Sequence, residues 1–226
     1  MDKIRTIFIG SGEFAVPIFN ALKEIKEISL VAVITQPDKV AGRENEMTPT
    51  VFGKYVQESK SNISIPLLKP EKLRNESNEI ISKYKPDLII VASYGQMIPD
   101  DMLNVPKHGC LNIHGSLLPI LRGAVPVPMS ILLGFDHTGV SIQRMVKELD
   151  KGDVYVQERI NIAVDDTSET LMEKLAEIGA KLLNGSLLKI IAGEIKPVSQ
   201  NDSNATYCYQ EDIAKEKAEI TRETDI

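Results

Sequence analysis

Residues 5–35, RTIFIGSGEFAVPIFNALKEIKEISLVAVIT, decide the fold class. Arg5-Thr-Ile-Phe-Ile9 is a short apolar run that ends at Gly10-Ser-Gly12. Phe14, Ile18, Ala21, Leu22 and Ile25 then recur at helical spacing. Ile28 to Thr35 is β-branched and apolar on both faces, as a strand in the middle of a parallel sheet requires. Strand, helix and strand make a βαβ unit. The unit predicts an α/β fold of Rossmann-like type, a mostly parallel twisted sheet with helices on both faces. Gly10, Gly12 and Ala15 also match G-x-G-x-x-A, which raises a dinucleotide reading. An acid at the end of the second strand should then hold the ribose, but Thr35, Gln36 and Pro37 stand there, and Asp38 comes too late. A plain tight strand-to-helix turn is favoured.

Working outward, Gln36 to Pro49 is a polar loop, long beside the ~2–6 residues usual for an αβ connection, and suits a binding or lid loop. A helix over Thr50–Ser61, a strand over Pro66–Leu68, a helix over Glu71–Tyr84 and a buried strand over Pro86–Ala92 follow. Ser93 to Pro99 leaves the carboxyl end of that strand, and Asp100 is expected to cap a short helix ending near Val105. A strand from Leu111 breaks at Gly115. The remaining elements are a helix over Pro128–Leu133, a strand over Gly139–Met145, an acidic turn over Glu148–Asp153 and a strand over Val154–Ile162. A helix over Glu169–Ile191 has Thr167 or Ser168 as N-cap. A strand near Pro197–Ser199 and a polar tail with a helical pattern at Glu211–Ala218 close the chain.

The chain has 226 residues, 42% hydrophobic and 26% charged, enough for one large or two small domains with ample core. Two cysteines, Cys110 and Cys208, form no disulfide framework and carry no metal spacing, which suits a reducing compartment. No apolar run approaches the ~18 residues needed to span a membrane, and no signal peptide is present, so a cytoplasmic protein is expected. The net charge is −6, and residues 1–200 carry 23 bases against 25 acids. A basic domain for nucleic acid is excluded, whereas a local basic patch is not.

Along the strand at residue 111, Asn112 and His114 project to the same side. An amide and an imidazole side by side at a strand end form a donor pair; a polar strand terminus before a turn is the plain alternative. Ligands of open parallel sheets sit beyond the carboxyl ends of the strands, where strand order reverses. Gly10–Gly12, Ser93–Ile98 and Asn112–Pro119 all lie at such ends, so three loops are expected to converge on one crevice.

These pieces carry a resemblance. IFIGSGEFAVPIFNAL (7–22), TQPDKVAGR (35–43), ASYGQMIP (92–99), GCLNIHGSLLPILRGAVPV (109–127), TGVSIQRMVKELDKGDV (138–154) and DDTSETLMEKLAEIGAKLL (165–183) resemble the folate-dependent formyltransferases, and among them the methionyl-tRNA formyltransferase family. The resemblance implies transfer of a formyl group from 10-formyltetrahydrofolate to an amine. It assigns Asn112, His114 and Asp150 as a catalytic trio, and the chemistry agrees. Attack on a carbonyl carbon builds charge on its oxygen, which Asn112 and a protonated His114 would stabilise as donors. A carboxylate beside the imidazole favours its protonated form and can help take the proton of the attacking amine. Taken alone, Asp150 is equally well a turn residue before Gly152.

By the same resemblance Ser116, Leu117, Leu118 and Pro119 contact the folate, and Gln96, Met97 and Ile98 wall the pterin pocket. Gly12 and Phe14 would lie near a methionyl side chain, and Arg43 would reach the acceptor end of an initiator methionyl-tRNA. Arg122 is a candidate for phosphate contact, with a surface arginine in a turn as the alternative. No metal and no membrane partner is implied, and the oligomeric state is open. Two departures stand out. Glu44 and Glu46 occupy a place where the family is lysine-rich, which would weaken tRNA affinity. The family also continues into a C-terminal β-barrel domain, so residues 1–200 are expected to form the catalytic domain and 201–226 a tail or linker toward a domain absent from this chain. An enzyme acting on a nucleotide-linked amino sugar, or a non-catalytic dinucleotide- or folate-binding module, remains the alternative.

Overall fold

The computed structural model describes residues 2–41, 45–59 and 65–213. The chain runs β1 (Ile4–Gly10), α1 (Ala15–Glu24), β2 (Ile28–Ile34), β3 (Lys39–Ala41), β4 (Glu46–Thr48), α2 (Val51–Glu58), β5 (Leu67–Leu68) and α3 (Leu73–Tyr84). It continues through β6 (Leu88–Ala92), α4 (Asp100–Asn104), β7 (Cys110–His114), β8 (Arg122–Gly123) and α5 (Pro126–Leu132). Then come β9 (His137–Arg144), β10 (Val154–Asn161), α6 (Ser168–Ile191) and β11 (Tyr207–Cys208).

Seven strands form the main sheet in the order β10-β9-β7-β6-β1-β2-β5. From β5 to β7 all pairings are parallel, and β9 and β10 extend the sheet antiparallel. Strand order reverses between β1 and β6, the switch point of a doubly wound sheet. Alternation along β6 and β7 sorts the core into two layers. Phe8, Leu88, Ile90, Leu111 and Ile113 face α1, α2 and α6. Ile7, Ile9, Ile89, Val91 and Cys110 face α3 and α4. The helices supply matching stripes, such as Ala15, Ile18, Phe19 and Leu22 on α1. Phe8, Phe19 and Phe52 join β1, α1 and α2, their ring centroids 5.2 or 5.3 Å apart. Each such aromatic pair contributes about 0.5–1.5 kcal/mol beyond the area it buries.

The glycines at the first turn serve packing. A Cβ on Gly10 would lie 2.7 Å from Ala15 Cβ, and one on Gly12 would lie 2.6 Å from Ser93 Oγ. The Ser11 and Gly12 amides, which a dinucleotide loop would aim at phosphate, donate instead to Ser93 O at 2.8 and 3.2 Å. Asp38, too late for a ribose, pairs with Lys69.

Four details differ from the sequence expectations. The 36–49 segment holds the β3–β4 hairpin rather than loop throughout. Asp100 is the first residue of α4 and Pro99 its N-cap, so Asp100 does not cap it. The helix after residue 126 begins two residues earlier than Pro128, because Pro126 fits the first helical position. The 201–213 segment is no free tail: β11 pairs with β8, and Thr206 Oγ1 accepts the Leu121 amide at 2.8 Å. Arg43, Glu44 and the pattern beyond Ile213 lie outside the described residues.

Candidate active site

On the α3–α4 face the apolar layer stops at Cys110, and the next side chains are polar. Antiparallel register sets Asn112 opposite Gln143 and His114 opposite Ser141. All four are buried; Asn112 is 8% and His114 6% exposed. Buried polar groups need partners, because each one left unsatisfied costs roughly 1–3 kcal/mol. The partners arrive from three loops.

Asp150 is the hub. It sits in the β9–β10 turn with φ +48, and its carboxylate folds back over β9. Oδ1 accepts Gln143 Nε2 at 2.7 Å and Asn112 Nδ2 at 3.3 Å, and Oδ2 accepts the Gly123 amide at 2.9 Å. His114 Nδ1 stands 3.7 Å from Asp150 Oδ2. The other ring nitrogen, Nε2, lies 2.9 Å from Leu121 O and donates to that carbonyl. The imidazole is therefore fixed by the backbone on one side and turns Nδ1 toward the carboxylate. Asn112 keeps a second amide N–H beyond the one spent on Asp150.

The turn after His114 is held from below. Ser141 Oγ donates to Ser116 O at 2.6 Å and accepts the Leu118 amide at 3.0 Å. Gln157 Nε2 donates to Leu118 O and Ser141 Oγ. Ser116 Oγ donates to Ile120 O at 2.5 Å, so it is spent inside the turn. Leu117 presses on Gly139, where an added Cβ would lie 2.5 Å from Leu117 Cδ2. Leu118 is buried and Pro119 half-buried. Phe14 backs the same turn: a Cβ on Gly115 would lie 4.0 Å from its ring.

In the loop after β6, Gln96 Oε1 accepts the Leu73 amide at 3.1 Å, so this side chain steadies the start of α3. Met97 is 77% exposed, and Ile98 is buried beside Met102. Adjacent parallel strands β6 and β7 deliver residues 96–98 and 116–119 to the same sheet edge. Gly12 joins them through its bond to Ser93 O.

Arg122 does not fit phosphate contact. It is 1% exposed. Its guanidinium is spent on Gln200 Oε1 at 3.0 and 2.9 Å, Asp202 Oδ1 at 2.9 Å and Tyr207 OH at 3.0 Å. Burial alone would lower the guanidinium's pKa, and the bonds to Asp202 and Tyr207 turn the net shift upward. Asp202 is held below its usual range by Lys151 and then Arg122. The near neighbour Asp153 takes Ser199 Oγ at 2.9 Å and stays outside the cluster.

Gln143 and Gln200 were not picked out from the sequence. For Gln143 a signal existed: Ser141 and Gln143 alternate with Val140 and Ile142 on one strand, placing two polar groups on a buried face. Two surface hollows lie outside the polar cluster, one of about 260 Å³ between β5 and α3 and one of about 190 Å³ between α1 and α6 that Phe14 helps to line. Among the described residues no group of three or more His, Cys, Asp or Glu side chains is placed to hold a metal, and no helix is long and apolar enough to cross a membrane.

The sheet order, the switch point and a buried amide–imidazole–carboxylate cluster define a Rossmann-like α/β protein built for polar chemistry at one sheet face. Solved formyltransferases share that fold. A 4-N formyltransferase from Francisella tularensis superposes with TM-score 0.76 at 19% identity, covering 99% of this chain and 83% of the other. Phosphoribosylglycinamide formyltransferase from Anaplasma phagocytophilum superposes with TM-score 0.69 at 19% identity, covering 92% and 100%. Residues 3–187 match the family described as Formyl transferase, and the chain belongs to that family. Methionyl-tRNA formyltransferase of Geobacillus sp. (strain WCH70) is 42% identical over 220 residues, 97% of this chain and 68% of the relative. That of Bacillus velezensis is 43% identical over 204 residues, 90% of this chain and 63% of the relative.

Proposed function

We propose that the chain transfers a formyl group from 10-formyltetrahydrofolate to the amino group of initiator methionyl-tRNA. The amine nitrogen bonds to the formyl carbon, the bond from that carbon to N10 breaks, the amine loses one proton and N10 gains one. Negative charge gathers on the formyl oxygen between these events, and donors aimed at it supply most of the rate. Asn112 offers its second amide N–H. His114, with Nε2 tied to Leu121 O, turns Nδ1 toward the same oxygen as the second donor. Asp150, 3.7 Å from Nδ1, serves the amine's proton.

The observation that carries this reading is the meeting of Asn112, His114 and Asp150 on one buried face, from a strand and a turn 38 residues apart. Residues 96–98 and 116–119 would hold the folate, and Gly12, Phe14 and Arg43 would meet the methionyl-tRNA. Identities of 42% and 43% with methionyl-tRNA formyltransferases favour that acceptor over a nucleotide-linked amino sugar. The test is incubation with 10-formyltetrahydrofolate and either methionyl-tRNA or a panel of nucleotide-linked amino sugars. Formylated methionyl-tRNA is expected; formylation of a sugar amine alone would reject the acceptor and keep the chemistry.

A further inference from the structure

We propose that Gln200, outside the residues matched to the family, is a positioning residue that sets Asp150 against His114 and Asn112. This rests on the formyl-transfer reading above. Gln200 is half-buried on the segment after α6, which joins the sheet at the Val198–Val154 bridge. Its Nε2 donates to Asp150 O at 2.8 Å and Gly152 O at 2.6 Å, and reaches Gln143 Oε1 at 3.5 Å. One side-chain amide thus grips the main chain on both sides of the turn that carries the catalytic carboxylate. The turn needs such a grip. Asp150 has φ +48, in the left-handed region that residues with a side chain seldom adopt. At Gly152 the main chain presses so hard on β9 that a Cβ would fall 1.6 Å from Arg144 O.

The same side chain reads the other wall of the site. Gln200 Oε1 accepts two N–H groups of Arg122. Arg122 lies between Leu121, whose carbonyl holds His114, and Gly123, whose amide holds Asp150. A second tie runs in parallel, from Lys151 to Asp202 at 2.6 Å and from Asp202 to Arg122. Gln200 therefore fixes the distance between the loop that orients the imidazole and the turn that presents the carboxylate. It touches no reacting atom; it acts through Asp150.

The test uses the full chain carrying Gln200→Leu or Gln200→Glu. The first keeps the shape and loses all five bonds. The second keeps an acceptor for Arg122 but sets a carboxylate against two carbonyl oxygens. Both variants are expected to fold, with KM little changed and kcat down at least about tenfold, the size of effect found for residues that orient reacting groups. The ring ¹⁵N resonances of His114 should move in Gln200→Leu in the same direction as in Asp150→Asn. A folded variant with wild-type kcat, or unmoved His114 resonances, would overturn the proposal. Loss of KM, kcat and melting temperature together, with His114 unmoved, would mark Gln200 as structural only. The resonance readout needs no turnover, so a chain inactive as a formyltransferase would sink the function and leave this test intact. Should Gln200→Leu fail to fold, Gln200→Glu decides.

Discussion

His114 Nε2 and the carbonyl oxygen of Leu121 stand 2.9 Å apart, and this backbone contact selects which imidazole nitrogen faces Asp150. A carbonyl can only accept, so Nε2 carries a hydrogen and Nδ1 is left for Asp150. The loop that supplies the carbonyl also supplies the Gly123 amide to Asp150 Oδ2, so the stretch from Leu121 to Gly123 orients both groups.

Asp150→Ala should lower both activity and stability. The carboxylate is the acceptor for Gly123, Gln143 and Asn112, and its removal strands those donors at a buried site. A loss of about 1–3 kcal/mol is expected in urea unfolding, with formyl transfer down on the order of 10²-fold or more. An unchanged unfolding midpoint would show that these three bonds are not formed.

Gly123→Ala should act on the same carboxylate from the backbone side. Gly123 has φ +122, and a Cβ there would fall 2.1 Å from Cys208 O, so β8 and β11 must part. Backbone strain alone costs about 1–3 kcal/mol, and displacement of the Gly123 amide should cut transfer as well. Gly134→Ala is the control: it also has positive φ but nothing lies within 4 Å, so stability should fall while kcat holds. Equal kcat in the two variants would contradict the role given to Gly123.

The start of α6 should show a pH signature independent of catalysis. Asp166 is lowered to about 2 by Lys174, the Ala163 amide and Thr170 Oγ1. A carboxylate depressed in the folded state stabilises the fold above its ordinary value of 3.8. That contribution fades as pH falls through the window down to about 2. Asp166→Asn should lower stability near neutrality and flatten the stability profile in this acid window, where the wild-type contribution is lost anyway; an unaltered acid profile would contradict the assignment.

Much of this was legible in the sequence because it is periodic. The βαβ unit, the buried strands and the Asn112–His114 alternation follow from spacing and from β-branched composition. Asp150 was not legible that way, since Glu148, Asp150 and Asp153 share one turn and only the resemblance separated them. The structure separates them physically: Asp153 turns to Ser199, while Asp150 turns inward. Arg122 looked like a surface cation because its partners Gln200, Asp202 and Tyr207 are 78 to 85 residues away. Contacts that span such distances leave no periodic trace. For the same reason the contacts that tie residues 200–208 to Arg122 and Gly123 could not be read from the sequence.

The central claim is that Asn112 and His114 supply the donors to the formyl oxygen. Single-turnover formyl transfer to methionyl-tRNA, at saturating 10-formyltetrahydrofolate, tests it most directly. Asn112→Ala and His114→Ala should each slow the chemical step on the order of 10²-fold or more, with donor binding little changed. A near-wild-type single-turnover rate in either folded variant would contradict the account.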